Sequence, residues 1–135
     1  MKKTVLAFSR ITPPMIERLQ QDFEVIVPNP KLGDINAQFN EALPHAHGLI
    51  GVGRKLGREQ LESASKLEVV SSVSVGYDNY DVPYFNERGI MLTNTPDVLT
   101  ESTADLAFAL LMSSARRVAE LDAWTKAGQW KASVG

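Results

Sequence analysis

Val69-Val70-Ser71-Ser72-Val73-Ser74-Val75-Gly76-Tyr77-Asp78-Asn79-Tyr80-Asp81 decides the fold. A valine-rich run from Val69 to Val75 breaks at Gly76 into small, polar and aromatic residues, the pattern of a buried strand that ends there. Glycine tolerates positive φ and lets another molecule approach the backbone closely. Just past a parallel strand, free N–H groups of a turn can point at an anion. Ligands of open α/β sheets sit beyond the carboxyl ends of strands, which makes Val75 and Gly76 the candidate backbone donors to a ligand carboxylate. The competing reading of the same residues is an ordinary β-turn.

Working upstream, Gly48-Leu49-Ile50-Gly51-Val52 reads as a short buried strand, joined by a helix from about Arg58 to Ala64 to the strand beginning at Leu67. Before it, residues 3–8 form a strand and Thr12 caps a helix with Pro13-Pro14 in its first turn and Met15, Ile16 and Leu19 on its apolar face. Phe23 to Val27 is a strand stopped by Pro28-Asn29-Pro30. Asp34 or Asn36 then caps a helix carrying Ala37, Phe39 and Leu43 to its end near Pro44. Downstream, Val82 to Glu87 is a short helix with Gly89 as its cap, and Ile90 to Thr93 is a fifth strand. Alternating elements with short connections predict an α/β fold, a mostly parallel sheet with helices on both faces.

From Thr100 the character changes. Thr103, Leu106, Ala107, Leu110, Leu111, Ser114, Val118 and Leu121 recur at i, i+3, i+4 spacing and predict one helix of about 25 residues. Typical helices run to about 11–12 residues, so this one is expected to reach a neighbouring domain. Ala127-Gly128-Gln129-Trp130 reads as a helix stop and the start of an arm. The expected organisation is one domain over 1–99, the long helix over 100–128 and the arm over 129–135, with the sequence ending short of a further domain.

The chain has 135 residues, 44% hydrophobic and 22% charged, enough for one solid core. A net charge of −2 with scattered Lys and Arg gives no footprint for nucleic acid. No apolar run reaches the roughly 18 residues of a membrane span, and Met1-Lys2-Lys3 leads straight into a strand, so no membrane partner and a cytoplasmic location are expected. Zero cysteines exclude disulfides, thiolate metal sites and cysteine nucleophiles.

Gly51-Val52-Gly53-Arg54-Lys55-Leu56-Gly57 imitates a dinucleotide fingerprint, but the third small residue belongs at position 56, where Leu56 stands. A glycine-rich strand-to-helix turn explains it better. Arg54 or Lys55 leaves the end of a neighbouring strand, and Arg54 is taken as a candidate anion partner beside Val75. His45 and His47 lie on the loop entering a strand, at the far end of the sheet from the candidate site, and no carboxylate cluster accompanies them. Neither metal binding nor acid–base work is assigned to them. Asp78 and Asp81 are explained by turn chemistry, and Glu101 and Asp105 by the helix dipole. Thr103 sits at that same positively polarised end, where its hydroxyl can meet a phosphate or a nicotinamide.

Ser74-Val75-Gly76-Tyr77-Asp78-Asn79, Arg88-Gly89-Ile90, Thr95-Pro96-Asp97-Val98-Leu99-Thr100-Glu101-Ser102-Thr103-Ala104-Asp105 and Arg116-Arg117 together resemble the D-isomer-specific 2-hydroxyacid dehydrogenases, with order and spacing intact along the whole chain. The likeness is to the glyoxylate/hydroxypyruvate reductase or 2-ketogluconate reductase branch. It implies a flavodoxin-like substrate domain followed by the long helix, which crosses into an NAD(P)-binding Rossmann domain outside this sequence. By that resemblance Val75 and Gly76 hold the carboxylate of a small 2-oxo acid, Thr103 lies near the cofactor, and the assembly is a homodimer. The family's catalytic Arg, Glu and His and its glycine fingerprint fall beyond Gly135, so no catalytic residue and no metal is assigned here. NAD(P)H is expected in the full-length enzyme and none bound to this stretch alone, which is expected to be inactive by itself. The competing hypothesis is a flavodoxin-like small-molecule or regulatory binding module without catalysis, with Val75 to Tyr77 as its ligand loop.

Overall fold

The computed structural model describes residues 2–131, and its backbone divides into two units, Met1–Pro96 and Asp97–Gly135. In the first unit, β1 (Thr4–Ala7), β2 (Glu24–Ile26), β3 (Gly48–Gly51), β4 (Val69–Ser72) and β5 (Met91–Thr93) form one parallel sheet in the order β2-β1-β3-β4-β5. This is the flavodoxin-like order, with its reversal of direction between β1 and β3. Register places Leu6, Leu49, Val70 and Leu92 in one row across the sheet.

That row faces the core. Leu6, Leu49 and Val70 are fully buried against Phe39, Leu43, Leu56, Leu61 and Phe85, which come from α2 (Ile35–Ala42) and the 3-10 turn just after it, the loop after β3, and α3 (Val82–Arg88). The opposite face is covered more thinly by α1 (Pro13–Asp22), where Leu19 and Phe23 meet Val5, Ile50 and Val69 around a cavity of about 160 Å³. Toward β5 that face opens, and Met91 is 63% exposed.

Local signals explain the helix ends. Proline stands in the first turn of α1 after Thr12, although the threonine side chain makes no capping bond. Asp34, not Asn36, caps α2 by accepting from the Asn36 N–H, and Asp81 caps α3 by accepting from the Tyr84 N–H at 3.1 Å. Gly89 closes α3 in the left-handed conformation at φ 66.

Two expected helices differ. The stretch Arg58 to Ala64 is a series of turns: Leu61 and Ala64 are buried and each donates one backbone bond, but Glu62 and Ser63 face solvent and no continuous ladder forms. In the second unit, the expected single helix is two, α4 (Thr100–Ala115) and α5 (Val118–Lys126). Arg117 lies between them at φ 53, and its guanidinium forms a paired contact with Glu120 at 2.9 and 2.6 Å. That ion pair helps offset the strain of a left-handed non-glycine residue, and the periodic apolar stripe conceals the break because no Gly or Pro marks it. No residue of α4 is buried, and its apolar side chains lie on more than one side: Leu106, Leu110 and Leu111 are about 60% exposed and Phe108 65%. The arm beginning at Gln129 runs into residues 132–135, which lie outside the described residues.

Candidate functional site

The loops leaving the carboxyl ends of β3 and β4 are bound to each other. The Leu56 N–H donates to the Asn79 carbonyl and the Asp81 N–H to the Leu56 carbonyl, both at 3.0 Å, while Asn79 Nδ2 donates to the Arg54 carbonyl at 2.6 Å. Leu56 is wholly buried, so the residue that spoils the dinucleotide spacing is a core anchor. The two glycines of that motif have backbone work as well. Gly53 sits at φ +80, and a Cβ on Gly51 would stand 2.7 Å from the Phe8 ring. Phe8 follows β1 directly and meets Phe39 edge-on at 5.7 Å, so its ring packs over Gly51 at the carboxyl ends of β1 and β3, where the strand order reverses. That ring therefore takes up space at the place where such sheets usually take a ligand.

The β4 turn has an unusual balance of hydrogen bonds. The Ser74 carbonyl accepts from the Thr95 N–H at 3.0 Å, the Val75 carbonyl from Asn94 Nδ2 at 2.8 Å, and the Gly76 carbonyl from Ser74 Oγ at 2.8 Å. Among the described residues, the N–H groups of Val75, Gly76 and Tyr77 have no acceptor. Val75, Gly76 and Tyr77 are exposed residues. Gly76 is not in the left-handed region, and a Cβ there would meet only Asp78 Oδ2, at 3.7 Å, an ordinary contact. Positive φ is thus not what this position requires.

Arg54 stands elsewhere. Its guanidinium lies 4.0 Å over the Phe39 ring and donates to Asn36 Oδ1 at 2.6 Å, on the α2 side of its loop. Its main chain, through Asn79, is what joins it to the β4 loop. Thr103 is in the first turn of α4, its N–H on the Leu99 carbonyl and its side chain exposed; no side chain caps that helix. His47 is structural: Nδ1 accepts from the Thr4 N–H at 3.1 Å at the amino end of the sheet. Among the described residues no three His, Cys, Asp or Glu side chains are grouped to hold a metal, and no helix is long and apolar enough to cross a membrane. Reading the sequence alone missed Asn94 and Thr95. Their signal was register: β5 runs parallel to β4, with Ser71 opposite Thr93, so the residues after β5 adjoin the β4 turn.

The sequence profile of the D-isomer specific 2-hydroxyacid dehydrogenase catalytic domain matches residues 5–132. The chain belongs to that family. Among its relatives in the D-2-hydroxyacid dehydrogenase family, glyoxylate/hydroxypyruvate reductase B of Yersinia enterocolitica is 44% identical over 135 residues, all of this chain and 41% of the relative. The chain therefore spans about two fifths of the length of that protein. Of solved structures, a 2-hydroxyacid dehydrogenase of Ketogulonicigenium vulgare superposes with a TM-score of 0.80 at 28% identity, covering 100% of this chain and 43% of the other. The NADPH-dependent glyoxylate/hydroxypyruvate reductase of Sinorhizobium meliloti, in complex with NADP and malonate, superposes at 0.71 with 33% identity, covering 96% and 40%. The parallel five-stranded sheet is the fold of this dehydrogenase family.

Proposed function

We propose that this chain is the substrate-binding part of a cytoplasmic, homodimeric reductase that transfers hydride between NAD(P)H and a small 2-oxo acid such as glyoxylate, hydroxypyruvate or 2-ketogluconate. The observation that carries the reading is the β4 turn, where the carbonyls are occupied and the amides of Val75 and Gly76 are free to hold a carboxylate. Hydrogen bonds from N–H to a charged acceptor are each worth about 1.5–3 kcal/mol, enough to orient a substrate of a few heavy atoms. Arg54, on the adjoining loop, adds positive potential to the same end of the sheet while its side chain clamps that loop to α2. Thr103 is assigned to the cofactor, since a hydroxyl and open amides at a helix start suit a phosphate or a carboxamide. When bound, the nicotinamide supplies or accepts the hydride. We place the substrate domain at 1–99 and the link toward the cofactor domain at 100–128. With both histidines at the wrong end of the sheet or exposed, we assign no acid–base residue within 1–135, and the isolated chain is expected to turn over neither glyoxylate nor hydroxypyruvate.

The test is a split in kinetic constants. In the enzyme that carries this chain together with its nicotinamide-binding domain, Gly76→Val is expected to raise KM for glyoxylate and hydroxypyruvate by roughly tenfold or more, with KM for NADPH little changed. Gly76→Ala, which the backbone accommodates, controls for folding. An unaltered KM in Gly76→Val would refute the assignment.

A further inference from the structure

The three carbonyl tethers of the β4 turn act on its amides. A peptide unit is planar and trans, with its C=O and N–H pointing in opposite directions, so fixing the oxygen of one residue aims the N–H of the next. The Thr95 N–H on the Ser74 carbonyl therefore aims the Val75 N–H. Asn94 Nδ2 on the Val75 carbonyl aims the Gly76 N–H, and Ser74 Oγ on the Gly76 carbonyl aims the Tyr77 N–H.

The arrangement is anchored in the sheet. Ser72 is 3% exposed, and its Oγ lies 2.8 Å from Ser74 Oγ. Ser74 has a single hydroxyl proton, committed to the Gly76 carbonyl, so Ser72 must be the donor of that pair. A directed chain thus runs from the buried end of β4, through Ser74, to the peptide that carries the Tyr77 N–H. The tethers are needed because of Gly76. Rotating the Val75–Gly76 peptide by half a turn changes φ of residue 76, and glycine has no Cβ to oppose the change. The flipped turn would present a carbonyl oxygen, which repels a carboxylate.

Resting on the reading of this turn as the carboxylate site, we infer that Asn94 and Ser74 are positioning residues for substrate binding, and that the Tyr77 N–H is a third donor beside those of Val75 and Gly76. Asn94 prevents the flip at Gly76, and Ser74 fixes the following peptide.

The experiment is an amide NMR titration of the 135-residue chain with oxalate, with sulfate at matched ionic strength as the control for charge alone. The unmodified chain is expected to show saturable, oxalate-specific shifts of the Val75, Gly76 and Tyr77 amides. Asn94→Ala is expected to weaken that binding about three- to tenfold, the effect of losing one net hydrogen bond. Asn94→Asp keeps the size but offers the Val75 carbonyl an acceptor instead of a donor, and is expected to lose at least as much. Ser74→Ala should weaken binding and Ser74→Thr, which keeps the hydroxyl, should restore it. Unchanged amide shifts in β3 and β1 establish that each variant is folded, and the serine pair serves if Asn94→Ala is not. Oxalate affinity unchanged in Asn94→Ala and Ser74→Ala, with the same three amides still shifting, overturns the positioning role and leaves the carboxylate site standing. No oxalate-specific shift at these amides in the unmodified chain overturns the site, and this inference with it.

Discussion

Gly51→Ala should be the most damaging single-methyl change in the sheet. The added carbon would sit 2.7–2.8 Å from three atoms of the Phe8 ring, well inside contact distance, at a backbone φ of +157 that side chains avoid. Overpacking of this kind costs about 1–3 kcal/mol and the backbone conformation a comparable amount, together roughly 2–5 kcal/mol against a total domain stability of about 5–15. The ring cannot simply swing aside, since it is held edge-on by Phe39, which in turn carries the Arg54 guanidinium. The clash and the backbone strain separate in a double-mutant cycle. In a Phe8→Ala background the clash is gone, so Gly51→Ala should cost at least about 1 kcal/mol less than it does alone, leaving the backbone contribution. Urea unfolding read by far-ultraviolet circular dichroism measures this, with the slope confirming that the same surface unfolds. Tryptophan fluorescence will not serve, because Trp124 and Trp130 both lie in the second unit. A Gly51→Ala cost under about 0.5 kcal/mol, or strict additivity with Phe8→Ala, refutes the close packing of Phe8 on Gly51.

Tyr80 is 5% exposed and its hydroxyl has no partner among the described residues, so Tyr80→Phe should be neutral or stabilising by up to about 1 kcal/mol; a clear loss in thermal melting would reveal a partner for that oxygen. The hydrogen bond from Lys3 holds the Glu68 carboxyl below its ordinary value of 4.5, with the charge of Lys3 adding to the effect and desolvation opposing it. A lowered folded pKa means the contribution is present above the ordinary value and lost as pH falls through the lowered one, so Glu68→Gln should reduce stability slightly at neutral pH and not at all in strong acid. Persistence of the difference at low pH would be inconsistent with that ion pair. Finally, the exposed leucines of α4 should make the 135-residue chain self-associate at tens of micromolar in light scattering, and Leu110→Glu should shift it toward monomer; a strictly monomeric mass in both removes the argument.

The strands were legible because each is a short apolar run bounded by Gly, Pro or a charge, and five of them alternating with helices leave little besides a parallel sheet. The helix cap at Gly89 was legible for the same local reason, whereas Asp81, read as turn chemistry, proved to be the N-cap of α3. What failed was continuity. The stretch from Arg58 to Ala64 has helical composition, but Leu61 and Ala64 alone are drawn into the core and the rest is too polar to hold a ladder together. At Arg117 a helix-forming residue takes a left-handed conformation stabilised by Glu120, three residues on, and periodicity is blind to that. The candidate turn at Val75 and Gly76 does follow β4, but the valine run overstated the strand, which ends at Ser72, four residues before Gly76, because Val73 to Val75 bend away from the ladder. Its hydrogen-bond balance was not legible, because Asn94 and Thr95 reach it only through the β4–β5 register, a long-range fact. Arg54 was located on the right loop, but its side chain was drawn to Asn36 and Phe39 by a stacking contact that spacing does not reveal.

The strand order also governs how this domain is made. The first of these five strands in chain order, β1, ends up inside the sheet with β2 on one side and β3 on the other, and each of the other four adds to an edge that already exists. Assembly during synthesis is therefore outward growth, with the β3 edge bare until Val69 to Ser72 emerge and the β4 edge bare until Met91 to Thr93 follow. A nascent chain stalled between those points carries an unpaired hydrophobic edge, the species that chaperones bind and that aggregates. An internal start codon that skipped β1 would remove an inner strand and so separate β2 from β3, whereas losing β5 would only shorten the row.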